Sequence, residues 1–149
     1  MQDLFKISMP IRENDRVIVP QMPSPEEYPA WRDSSELAVV SASGRILETA
    51  AWFSEIEDQT TVVLAKACPE KLRSVDAKFA CSVRAVLKGN AGRRIAFEIK
   101  KLGDAAKFSG RVIVKIMDKE FGYKCVQGRA GFLAEIYRLR LKTLDVFWC

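Results

Sequence analysis

The sequence predicts an α+β fold: a single domain over residues 1–149, built on an antiparallel β-sheet meander with one to three helices packed on it. Three observations point there. Apolar and polar residues alternate over three consecutive stretches, Phe79 to Val86, Ile95 to Lys100 and Arg111 to Ile116. Glycine-bearing turns separate them, at Lys88 to Arg93 and at Gly103 to Gly110. Ahead of them, Ser34-Ser35-Glu36 reads as a helix start. At 149 residues, 48% of them apolar, the chain is long enough to enclose one core.

Each element follows from local chemistry. Leu4 to Met9 and Arg16 to Val19 read as short strands ended by Pro10 and Pro20, because proline cannot donate to a sheet ladder. A proline-rich loop over residues 20–35 comes next, expected to be extended and exposed. It contains the P-x-x-Y pattern Pro25 to Tyr28, without the adjacent prolines that WW domains prefer, so either a connecting loop or a docking motif fits. Val39, Ile46, Ala50 and Phe53 approximate one helical face, and a helix is expected over Ile46 to Ile56. Gly44 interrupts this run, and two strands joined by a Ser-Gly turn are the alternative. The β-branched run Thr60 to Lys66 predicts a strand, closed by the Cys68-Pro69 break and the polar stretch Glu70 to Asp76. In the tail, a short helix over Ala130 to Glu135 followed by a strand through Tyr137, Leu139 and Leu141 competes with one helix through Phe132, Ile136, Leu139 and Thr143.

Composition narrows the chemistry. The chain has no histidine, which removes Ser-His-Asp and Cys-His nucleophile systems and His-ligated metal sites together. The four cysteines, Cys68, Cys81, Cys125 and Cys149, form no C-x-x-C pair and read as free thiols, with Cys81 expected as a small core residue. The turn Lys88 to Arg94 lacks the Walker pattern, and Glu55, Glu57 and Asp58 lack EF-hand spacing. The expectation is a protein without enzymatic activity, cofactor or metal. The start of the chain lacks the apolar core of a signal peptide, and no stretch has the length of a membrane span, so an intracellular, reducing location is expected.

Charge carries the strongest functional signal. Residues 1–70 hold 6 Lys+Arg against 12 Asp+Glu, while residues 71–149 hold 18 against 7. Surfaces with such an excess of positive charge attract phosphate-bearing polymers and anionic lipid. On the strand reading, Arg84, Lys100, Arg111, Lys115, Arg138, Arg140 and Lys142 fall on faces away from the core, and Arg93 and Arg94 sit in the adjoining turn. These nine residues are the predicted polyanion-binding set. Phe108, Phe121, Tyr123 and Tyr137 lie near them as candidate stacking platforms, with core packing as the alternative. The aromatic end Phe147-Trp148 is a candidate for insertion at a bilayer interface. Segregated acidic and basic halves also suggest head-to-tail association between copies.

Two short stretches, Arg16-Val17-Ile18-Val19-Pro20 followed by Pro23, and Tyr137-Arg138-Leu139-Arg140, are similar to the small matrix proteins of bornaviruses, a group of negative-strand RNA viruses. The resemblance implies a single domain on an antiparallel sheet, oligomers assembled beneath a viral envelope and in the host cytoplasm, contact with membrane and RNA, and no catalysis. Of the predicted set, Arg138 and Arg140 lie in the shared stretch. The reading is a self-assembling, polyanion-binding structural protein, acting on RNA or on an anionic membrane and taking no small-molecule substrate. A non-viral, sequence-nonspecific nucleic-acid-binding domain, or an adaptor for an acidic protein, is the alternative.

Overall fold

A computed structural model describes residues 12–123, and these residues are helical, with no strand among them. In chain order the helices are α1 (Tyr28–Ser43), α2 (Ile46–Ser54), α3 (Thr61–Lys66), α4 (Glu70–Val86), α5 (Gly89–Leu102), α6 (Asp104–Lys107) and α7 (Gly110–Glu120). The predicted antiparallel sheet is therefore absent from the described residues. The predicted strand at Leu4 to Met9 and the tail elements lie outside them.

The three alternating stretches became α4, α5 and α7 for a common reason. In α4 the buried positions are Leu72, Val75, Asp76, Phe79, Ala80 and Val83, which is the three-and-four spacing of one helical face. Phe79 and Val83 belong equally to an alternating pattern, and the exposed small apolar residues Cys81 and Ala85 completed a false one. Cys81 is thus a surface residue, not part of the core. In α5, Ile95 and Ile99 are buried one turn apart, while Phe97 between them faces outward. In α7, Val112, Ile113, Val114, Ile116 and Met117 are all buried, so no period is visible at all.

That burial makes α7 the central helix, packed against α3, α4, α5 and α6, while α1 packs on α2 and α4. Its closest approach to α4 depends on Gly110. A Cβ there would stand 2.1 Å from Cδ1 of the buried Phe79 ring. The Ser109 hydroxyl accepts from Val112 N–H at the start of α7, and the Asp76 carboxylate accepts from Gly110 N–H at 2.8 Å. The β-branched run expected as a strand is α3, capped by Thr60, whose hydroxyl accepts from Val63 N–H.

The first helix also starts earlier than its serines suggest. Pro29 occupies the first turn, where its missing N–H costs nothing, and α1 runs through to Gly44, whose φ of 70° caps its end. The glycine that seemed to interrupt one element separates two. The helix expected over Ile46 to Ile56 is present as α2, Ile46–Ser54. Within the proline-rich segment Pro23 is buried, and Tyr28 is buried with its hydroxyl donating to Asp118, so Pro25 to Tyr28 is no accessible docking motif. Arg16 to Val19 keeps its alternation, with Val17 and Val19 buried and Ile18 exposed, but it pairs with no strand among the described residues. No helix of the described residues is long and apolar enough to cross a membrane.

Candidate functional site

The helical fold sorts the predicted basic residues into three groups. The first is engaged by partners within the fold. Arg111 on α7 is fully buried, donates to the Trp52 carbonyl at 3.0 Å and to the Leu64 carbonyl at 3.5 Å, and pairs with Glu55 at 2.7 Å. Its guanidinium carbon stands 4.7 Å from the centroid of the Trp52 ring. Lys115, one turn on, is half-buried and donates to the Ile56 carbonyl at 2.7 Å. Both were expected on an outer face; both instead tie α7 to the α2–α3 connection. Arg94 on α5 is exposed but pairs with Glu120 of α7.

Arg84, Arg93 and Lys100 form the second group, and they converge. Arg84 is in the last turn of α4, and Arg93 and Lys100 are seven positions, or two turns, apart on α5. All three line one groove of about 640 Å³ between the end of α4, α5 and α6. Lys88 and Lys107, which the sequence reading passed over, line it too, and Asp104 is its single acidic residue. No side chain of Arg84, Arg93 or Lys100 has an ion-pair or hydrogen-bond partner among the described residues, and the Lys88 ammonium donates only to the neutral Gln21 side chain at 3.2 Å. With one carboxylate against five cations, the groove keeps a net positive field.

The backbone adds to it. Gly89 and Gly92 line the groove where α5 begins. That helix has no side-chain cap and no acidic residue in its first turn. Its free amide donors and the positive end of its dipole favour an anion at the same place. Gly89 sits at φ of +71°, a conformation that favours glycine. Between the cations the lining is apolar, through Leu87, Ala96 and Ile99.

Arg138, Arg140 and Lys142, the third group, lie outside the described residues, as do Tyr137, Phe147 and Trp148. Of the remaining stacking candidates, Phe121 stacks on Tyr28 with centroids 4.6 Å apart, and Tyr123 meets Tyr28 edge-on at 5.7 Å. Both serve packing. Phe108 is exposed beside the groove.

A second cavity of about 720 Å³ holds four carboxylates, Glu57, Glu98, Asp118 and Glu120. Each already has a cationic partner: Arg32 for Glu57 and Asp118, Lys101 for Glu98, Arg94 for Glu120. Among the described residues no group of acidic, cysteine or histidine side chains is placed to hold a metal. The Cys68 thiol is pushed up to about 11, by burial and by the nearby Asp76 charge, which keeps it protonated and unreactive at neutral pH. Two acidic residues of the first half, Glu13 and Glu55, pair with Lys78 and Arg111 of the second half within one chain. Part of the charge segregation is thus neutralised internally and does not remain for a neighbouring copy.

Comparison with known proteins gives no match: no protein-family model, no curated protein and no solved structure is similar to this chain.

Proposed function

We propose that the protein is a non-enzymatic binder of polyanions that seats phosphate groups in the groove between α4, α5 and α6. One observation carries this reading: five cations, Arg84, Lys88, Arg93, Lys100 and Lys107, share that groove with one carboxylate. A merely solvated face would intersperse both signs. Arginine and lysine together give forked and point-charge contacts to phosphate oxygens, and the open start of α5 supplies backbone donors. The antiparallel sheet implied by the bornavirus resemblance is missing from the described residues, so the proposal rests on the groove and not on that likeness.

The test compares two triple variants carrying the same change in charge. One is Arg84→Gln, Arg93→Gln and Lys100→Gln in the groove. The other is Lys66→Gln, Lys71→Gln and Arg73→Gln, on exposed positions of α3 and α4. Fluorescence anisotropy on a labelled oligonucleotide at low salt is expected to show about tenfold or greater loss for the groove variant and about threefold or less for the control. Equal losses would mean that net charge alone drives binding. Stronger binding to polyglutamate than to the oligonucleotide would move the reading to an acidic protein partner.

A further inference from the structure

The cations of the groove account for phosphate, but two aromatic rings beside them have no part in that. Phe97 on α5 is 61% exposed, and Phe108, just after α6, is 52% exposed. Both adjoin groove-lining residues. Phe97 follows Arg93 by four positions and precedes Lys100 by three, the spacings at which helix side chains are surface neighbours. Phe108 follows Lys107 directly. Lys107 Nζ, one of the groove's cations, is 5.8 Å from the Phe108 centroid; Lys101 Nζ, 5.3 Å from that of Phe97, is paired with Glu98, so the free cations next to Phe97 are Arg93 and Lys100. The fold buries Ile95 and Ile99 of the same helix and leaves Phe97 outside.

Resting on the polyanion reading, we propose that the ligand is a single-stranded nucleic acid, with its phosphates along Arg84, Arg93 and Lys100 and its bases stacked on Phe97 and Phe108. An exposed ring next to a cation offers both chemistries of a nucleotide, a π-face for the base and a charge for the phosphate. Base–aromatic stacking contributes about 1–3 kcal/mol per base and tolerates any sequence. A duplex cannot use these rings, because its bases are stacked on each other and show only their edges in the grooves. A bilayer fits the shape less well. Arg84 is half-buried and shares a concave wall with the buried Gly92, where a flat headgroup surface does not reach.

The experiment uses the full chain and three competitors of equal length in an anisotropy assay: oligothymidylate, an abasic strand with the same number of phosphates, and a duplex. The wild type is expected to bind oligothymidylate about tenfold or more tightly than the abasic strand, the equivalent of one stacked base. The double variant Phe97→Ala and Phe108→Ala is expected to lose that advantage while holding the abasic strand within about twofold of the wild type. The double variant Phe97→Leu and Phe108→Leu, which keeps apolar bulk but no π-face, should behave the same way. Equal wild-type affinity for thymidylate and abasic strands overturns the stacking proposal and leaves the phosphate groove standing. Absence of binding to either strand overturns both. A parallel loss for both strands in the alanine variant overturns the stacking role, since the rings would then only shape the groove. Preference for the duplex, or for phosphatidylserine vesicles in a Phe97-dependent manner, also overturns it.

Discussion

Arg111 on α7 and Arg93 on α5 are arginines on adjacent, packed helices, and the fold uses them in opposite ways. Arg111 is sealed inside, its guanidinium shared between two carbonyl oxygens, the Glu55 carboxylate and the Trp52 ring. Arg93 is exposed, lines the groove and has no partner among the described residues. A buried charge held by several partners resists removal, here through both terminal nitrogens of the guanidinium while its Nε stays unbonded among the described residues. A charge without partners adds little to stability and keeps its field for a ligand. The same separation of roles runs through the basic half of the chain: Lys115 goes with Arg111, and Arg84 and Lys100 go with Arg93.

Breaking the internal set should cost most. Arg111→Met leaves the Trp52 and Leu64 carbonyls without their donor and Glu55 without its cation. The Glu55 side chain is 45% exposed and regains water, so the expected loss is about 3 kcal/mol, the lower end for a broken buried pair, read from urea denaturation. Asp76 sharpens the contrast through pH. Burial raises its pKa from 3.8 to about 6, against the pull of the Gly110 amide and the Arg111 charge. The folded chain therefore holds that proton more tightly than the unfolded chain. Its contribution is fully present below about pH 4 and is lost as the pH rises through about 6, a change of about 3 kcal/mol. Asp76→Asn keeps an acceptor for the Gly110 amide and should flatten this part of the stability profile, measured by denaturation at pH 4.5 and pH 7.5. Next comes Gly110→Ala, which drives a methyl into the buried Phe79 ring and should cost about 2–3 kcal/mol by thermal melting. Smallest of all, Arg93→Gln should change stability by less than about 0.5 kcal/mol while weakening oligonucleotide binding.

Much of the groove was legible in the sequence, though on the wrong scaffold. The alternation puts Arg84 and Lys100 on faces away from a sheet, with Arg93 in the adjoining turn; in the fold Arg93 and Lys100 share a face because a helix returns to it every seven residues, and Arg84 joins them from the adjoining end of α4. Lys88, Lys107 and Phe97 were missed. The run Gly92-Arg93, Ala96-Phe97, Lys100 has helical spacing and would have brought Phe97 to notice. The fold class failed where residue type and burial masked the period. In α3 and α7 the valines and isoleucines have high strand propensity, and tertiary packing overrode it. In α4 the polar-looking stretch Glu70 to Asp76 hid Leu72 and Val75, which hold the helical phase that Phe79, Ala80 and Val83 continue. Arg111 could not be recognised as internal, because its partners lie 47 to 59 positions away in sequence.

The salt dependence of oligonucleotide binding tests the groove most directly. With five cations each displacing a counterion from a single strand, the logarithm of the binding constant should fall with the logarithm of salt concentration at a slope of about −3.5. The groove variant Arg84→Gln, Arg93→Gln and Lys100→Gln should reduce the slope to about −1.4. A slope in that variant equal to the wild type's would contradict the account, because the phosphates would then be held elsewhere on the protein.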